Sequence, residues 1–435
     1  MVDIFEQLQD WRTIDNMIPF NKQVLFGKEL LYFQDAYEEG KISGDGKYTK
    51  LCTDFMQKTF SAKKVLLTPS CTHALELASL LMDIKAGDEV IMPSYTFVST
   101  ATAFVLRGAR PVFCDIRADN LNIDEGKIEA LITERTKAIV PVHYAGVACE
   151  MDTILQIADA HNLFIVEDAA QGVNARYKGR SLGTIGQFGC YSFHETKNYS
   201  MGEGGALVIN DDRFIERAEI LREKGTDRSK FYRGEIDKYS WVDIGSSYLP
   251  SDLSAAVLWA QFEHLNDIQK KRKQIHEMYC NGLRALERES YLRLPVINDF
   301  AESNYHLFYV LMNSEAERDQ LLAHLKEQGV HAVFHYIPLH GSTFYRREFG
   351  EVSLPVTEEL SSRLLRLPMY YALSDTEVSQ VLNTLKEWSS KTKVCDCKVD
   401  HLKRLPYQPP YEGFTRFPKN RSSSTETLNV VDLNE

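Results

Sequence analysis

From Val65 onward the chain alternates between two hydrophobic patterns. Short runs in which nearly every position is apolar (VLLT, EVIMP, PVFCDI, KAIVPVHYAG and LFIVED) read as strands buried on both faces. Between them lie HALELASLLMD, FVSTATAFVLRG, a segment around Ile128 to Ile132, and Met151 to His161, which read as amphipathic helices. This alternation predicts a doubly wound α/β domain with a mostly parallel sheet. After Tyr248 the pattern shifts to long charged helices beginning SDLSAAVLWAQFEHLNDIQKKRKQIHEMY. NYHLFYVLM and HAVFHYIP then read as strands, with the helix ERDQLLAHLKEQG between them and a closing helix near Asp375 to Trp388. The expected organisation is a large domain over residues 1–250 and a smaller α+β domain over 251–389, with a cleft where they meet. Residues 390–435, polar and carrying YQPPY and RSSSTET, read as a flexible tail.

Composition narrows the function classes. A chain of 435 residues with 44% hydrophobic and 26% charged positions is ordinary for a globular enzyme. Its formal charge of −11 argues against nonspecific nucleic-acid binding, so an anionic substrate requires a local basic pocket. The sequence contains no apolar stretch of membrane-spanning length, and MVDIFEQLQDWR lacks a signal-peptide pattern, so a cytoplasmic location is expected. The 8 cysteines are scattered, mostly in apolar patterns such as those around Cys114 and Cys190, as reduced core thiols would be. Cys395 and Cys397 form a lone CxC with no second pair or His cluster nearby, so no metal site is expected.

The chemistry is concentrated in two segments. LFIV ends in Glu167 and Asp168, the way a buried parallel strand delivers a carboxylate to the rim of a sheet. FGCYSF then leads into SFHETKNYSMGEGG, with Ser192 and Lys197 ahead of a glycine-rich run that lets backbone approach a ligand closely. An amine to hold the cofactor and a carboxylate to keep a pyridine nitrogen protonated are what pyridoxal 5'-phosphate (PLP) needs, and Lys197 and Asp168 fit those roles. The turn PSCTHA, between a strand and a helix, points the N–H groups of Cys71 and Thr72 toward an anion with the helix dipole behind them; a plain N-cap by Ser70 or Thr72 is the competing reading.

With TPSCTHALELA, PSYTFVSTATA, VEDAAQ and SFHETKNYSMGEGG in this order, the chain resembles the DegT/DnrJ/EryC1/StrS sugar aminotransferases, fold-type I PLP enzymes, from about Pro19 to about Trp388. SFHETKNY, REKGTDRSKFYRGEIDKYSWVDIGSSYLPSDL and AVFHYIPLHG resemble the branch that forms dTDP-4-amino-4,6-dideoxygalactose. The resemblance implies that Cys71, Thr72 and Ser192 grip the PLP phosphate, that Phe97 and Ala170 cover the two faces of its ring, and that Gln171 meets its phenolic oxygen. Many family members place an Asn where Ser247 stands, reaching the neighbouring subunit's phosphate; the shorter hydroxyl puts that contact in question. A homodimer or dimer of dimers with shared sites is implied. For the nucleotide sugar the candidates are the cations Arg228, Lys230 and Arg233 and the rings of His335 and Tyr336, each of which has a bland reading as solvated charge or core.

The expected reaction is transfer of an amino group from L-glutamate to dTDP-4-keto-6-deoxy-D-glucose. Related dehydratases carry His where Lys197 stands, so the lysine favours transamination. Amination of another nucleotide keto sugar, at C3 or with the other C4 configuration, is the neighbouring alternative, and a non-catalytic binding protein on the same fold the more distant one. A nicotinamide enzyme is disfavoured because no strand leads into a GxGxxG turn.

Overall fold

The computed structural model describes residues 17–392; the expectations for 393–435, including Cys395 and Cys397, lie outside them. The described residues fall within one compact unit. Strands β1 (Lys64–Thr68), β2 (Glu89–Pro93), β3 (Arg110–Cys114), β4 (Thr136–Ile139) and β5 (Phe164–Asp168) come first. A ribbon of β6 (Arg176–Tyr177) and β7 (Arg180–Ser181) follows, then β8 (Phe188–Ser192) and β9 (Gly205–Ile209). The last third adds β10 (Leu292–Arg293), β11 (Ala301–Glu302), β12 (Phe308–Met312) and β13 (Leu364–Leu367).

Seven strands form the main sheet in the order β1-β9-β8-β5-β4-β2-β3. The pairs from β8 to β3 are parallel, while β9 runs antiparallel to both β8 and β1. The fold is therefore the mostly parallel α/β architecture that the alternating runs predict. Its strands are mostly apolar because both faces are covered. Val65 and Leu67 of β1 enter one core with Phe60 and Phe262, while Leu66 enters the other with Leu75 and Phe104. β9 divides in the same way, with Val208 on the first face and Leu207 on the second.

The second sheet, β10-β12-β13, is antiparallel and packs Phe308, Val310 and Leu365 against Tyr279, Leu325 and Leu385. The run after Tyr248 is two helices, Asp252–Phe262 and Leu265–Arg288. Ala255, Leu258, Leu265 and Ile268 belong to the main-sheet core and Ile275 to the second, so the packing crosses over within Leu265–Arg288. HAVFHYIP, expected as a strand, forms only an isolated bridge from Val333 to Arg366; the strand is instead β13, whose LLRL continues directly from the helix Pro355–Arg363. The closing helix runs Asp375–Lys391 with a capping box at Ser374 and Glu377, so it extends past the expected end of the fold at residue 389.

Candidate active site

Register brings the sequence motifs to one rim. Gly205 at the start of β9 pairs with both Thr68, the end of β1, and Ser192, the end of β8. Asp168, the end of β5, pairs with Cys190. Because β9 is antiparallel, its first residue lies at the same edge as the last residues of its neighbours, the edge where open α/β sheets bind ligands. A Cβ on Gly205 would strike the Ser70–Cys71 peptide, so glycine is what lets the start of helix Cys71–Leu81 press against this rim. The Ser70 hydroxyl caps the helix by accepting from the His73 N–H at 3.2 Å. Helix geometry leaves the N–H groups of Cys71 and Thr72 without intrahelical acceptors, and the Thr72 hydroxyl donates to Ser99 at 2.7 Å. The cap and the anion-facing reading of this turn thus coexist.

Asp168 is buried, with one carboxylate oxygen accepting from the Thr100 hydroxyl at 2.7 Å and the other from the Ala170 N–H at 3.1 Å. Thr100 in turn meets Thr96 at 2.7 Å, which locks its rotamer. Behind Asp168, the fully buried Glu167 accepts from the N–H groups of Gly183, Ile185 and Gly186 and meets His143 at 2.9 Å. The strand end is thereby fixed from both sides.

Lys197 is half-buried on the turn after β8, and burial lowers its pKa; the Asp168 carboxylate acts electrostatically to raise it. Burial likewise pushes the Cys71 thiol well up, so it stays protonated and neutral. A small cavity is lined by Ala170, Gln171, Ser192, Lys197, Asn198 and His306. Along this rim a carboxylate, an amine, a hydroxyl and a free helix start are brought together, the donor set that PLP requires. The residues fit the group. A larger surface cavity, of about 600 Å³ and lined by Asn174, Arg176, Gln269, Lys270, Lys273 and Tyr305, contains none of the residues singled out in the sequence.

The remaining candidates divide. Gln171 spends its amide on protein partners, accepting from the Ala145 N–H at 2.7 Å and donating to the Tyr336 hydroxyl at 3.1 Å. Tyr336 holds a left-handed backbone with φ of 37° and stacks on His335 at 3.6 Å. His335 is buried against the Tyr144 hydroxyl at 2.8 Å; burial, and then the field of Arg366, drive its pKa well below the usual histidine range, so the ring is neutral. Phe97 is 57% exposed, its ring 6.4 Å from that of Tyr336.

Within one chain the three cations are not gathered with Lys197. Arg233 pairs with Glu219 at 2.7 Å, and Glu219 also holds Lys64 at the start of β1, the end opposite the rim. Lys230 pairs with Glu216 at 2.6 Å, and Arg228 reaches Glu223 and the Tyr232 hydroxyl. Ser247 is exposed and bridges Glu223. Sequence reasoning missed Thr100, His306 and Asn198. Of these only Thr100 left a trace, its i,i+4 spacing from Thr96 within the quoted PSYTFVSTATA motif.

A mostly parallel sheet carrying an aspartate and a lysine on one rim, with a helix start facing them, defines a fold-type I PLP-dependent enzyme. The family model described as DegT/DnrJ/EryC1/StrS aminotransferase family matches residues 26–386, and the chain belongs to that family. It is 34% identical to the spore coat polysaccharide biosynthesis protein SpsC of Bacillus subtilis, over 86% of this chain and 97% of that one. Among solved structures, the aminotransferase TlmJ from Streptoalloteichus hindustanus superposes with a TM-score of 0.80 at 30% identity, covering 86% of this chain and 99% of the other. The sugar aminotransferase Spr1654 from Streptococcus pneumoniae in its PLP form superposes at 0.77 with 27% identity, covering 86% and 99%; a PMP form superposes at 0.78. The protein is a sugar aminotransferase that uses PLP.

Proposed function

We propose that the protein aminates dTDP-4-keto-6-deoxy-D-glucose at C4, with L-glutamate as donor, to give dTDP-4-amino-4,6-dideoxy-D-galactose. The observation that carries the transaminase chemistry is the meeting of Asp168, Ser192, Gly205 and Lys197 at one rim. The choice of sugar rests on the motifs around Arg228 and His335 and on the likeness to a polysaccharide biosynthesis protein.

Lys197 carries the cofactor, Asp168 keeps its ring nitrogen protonated, and the N–H groups of Cys71 and Thr72 with the Ser192 hydroxyl hold its phosphate. Bound there, PLP would supply an electron sink for the proton transfers at the donor and at the sugar. The lowered pKa of the Lys197 amine suits it to take the Cα proton from the donor and, in the second half of the cycle, to deliver one to C4 of the sugar. Thr100 and Ala170 hold Asp168 in place while charge moves. In this reading Arg228 and its exposed segment serve the nucleotide of a neighbouring subunit, so the active unit would be a dimer or larger. Incubation with glutamate and the keto sugar should yield an amine and 2-oxoglutarate. The H3–H4 coupling of the product, read by nuclear magnetic resonance, should be small for an axial galacto amine. A large coupling would remove the galactose assignment, and no amination of any nucleotide keto sugar would remove the reading altogether.

A further inference from the structure

Near its start, helix Leu265–Arg288 carries a cationic run, QKKRK over residues 269–273, that the site at Lys197 leaves unused. Arg272 turns inward and donates to the backbone carbonyls of Tyr305, His306 and Met369, and Lys271 pairs with Asp375 at 2.9 Å. Asn266, Gln269, Lys270 and Lys273 share one face of the helix, each a turn or so from the next. That face borders the cavity of about 600 Å³, a volume in the range of small-molecule sites. Lys270 meets no carboxylate among the described residues, and Lys273 reaches only Glu277, at 3.9 Å.

The ribbon and the chain ahead of β12 supply the rest of the lining. Arg176 of β6 is half-buried there, one guanidinium nitrogen donating to the Gly179 carbonyl at 2.9 Å. Ser303 is 5% exposed; its hydroxyl accepts the Tyr305 N–H at 2.9 Å and finds no acceptor for its own proton among the described residues. The lining sets one carboxylate, Glu302, against three cations, an excess of two positive charges on a chain whose net charge is −11. A pocket with this excess and an unused hydroxyl donor favours a multiply charged anion. Ile297 and the ring of Tyr305 add apolar surface that a bare ion does not need.

This cavity backs onto the one that holds Lys197. Ser303 and Tyr305 line the outer cavity and Asn304 and His306 the inner; likewise Asn174 lines the outer and Val173 the inner. The Asn304 amide stitches the two segments together, donating to the carbonyls of Gln171 and Val173 at 2.8 Å each. The amide of Asn198, next to Lys197, donates in turn to the Asn304 carbonyl at 3.1 Å. We infer that the outer cavity is a second ligand site, for an organic diphosphate, and that its occupancy is transmitted through this shared wall to Lys197. The inference goes beyond the proposed reaction and does not depend on which sugar is aminated.

PLP-loaded full-length protein titrated calorimetrically with pyrophosphate should bind it, and K270E/K273E should bind at least about ten-fold more weakly. Both lysines are exposed, so the variant should keep its fold, its cofactor and its basal turnover. K270A/K273A, which removes the charges without reversing them, should fall between. The lysine-dependent site should take dTDP more tightly than pyrophosphate. Negative charge behind the wall favours the protonated amine, so pyrophosphate should raise the pH at which the cofactor's absorbance changes in wild type and leave it in place in K270E/K273E. Failure of the wild type to bind pyrophosphate, or binding by both variants at wild-type strength, would overturn the site. Lysine-dependent affinity for dTDP no greater than that for pyrophosphate would overturn the organic occupant, and binding without any move in the absorbance would overturn the link to Lys197.

Discussion

Lys197 shows how one side chain is set for its task by what surrounds it. Burial lowers its pKa from the ordinary 10.5, which means that the folded protein disfavours the charged amine. A basic group whose folded pKa is depressed costs stability while it is protonated, and that cost fades as pH rises from its folded pKa to its unfolded one. Cofactor-free Lys197→Met should therefore melt a few degrees above cofactor-free wild type near neutral pH. The gap should shrink as pH climbs and close by about 10.5. Thermal scans of the two proteins across that range check the sign, and a gap that widened with pH would show that the amine is stabilised in the fold.

At the level of elements, the site depends on the approach of helix Cys71–Leu81 to β9. Gly205 pairs on both flanks, and the Ser70–Cys71 peptide occupies the space where its side chain would be. Gly205→Ala should push the helix start away from the rim, because the obstacle is backbone and cannot rotate aside. The expected result is a loss of PLP affinity of about ten-fold or more with destabilisation of about 1–3 kcal/mol, as overpacking of a tight site gives. Cofactor release on dialysis and urea unfolding measure the two effects. Unchanged PLP retention would mean that the helix start does not hold the phosphate. The motif GEGG flagged this position from sequence as a close backbone approach; which backbone approaches became visible only once the antiparallel β9 was placed.

For the molecule as a whole, the segment from Arg228 to Ser247 is the conspicuous surface. Trp241 is 80% exposed, and Tyr232, Tyr239, Val242 and Ile244 are exposed with it. Arg228 lies over the Tyr232 and Tyr239 rings at 5.1 and 5.9 Å. A patch of aromatic rings and arginine is the composition of a buried interface core. In solution the protein should sediment as a dimer or larger, and Trp241→Glu should shift it toward monomer with loss of turnover, since the cations of this segment would no longer reach a neighbouring site. A monomeric wild type, or a fully active monomeric variant, would remove the shared-site arrangement. Among the described residues no helix is long and apolar enough to cross a membrane.

Much of the protein was legible in order along the chain. Apolar runs of five or so residues locate the main strands because a sheet covered on both faces needs them; Asp168 stands out because it ends such a run, and Lys197 because it comes four residues after another. The short, mixed strand LLRL was not legible, since it follows a helix without a turn and only the pairing with Phe308–Leu311 makes it a strand. For the same reason Thr100 could not be matched to Asp168 across 68 positions of sequence. Arg233 shows the converse case: its charge suggested a phosphate partner, but the fold sets it beside Glu219 at the far end of β1. Sequence by itself determined which segments fold as strands and which residue types reach their ends, because those depend on local pattern. Tertiary structure alone decided which ends meet and which charges are left unpaired, because both depend on strand order and register, which no local pattern encodes.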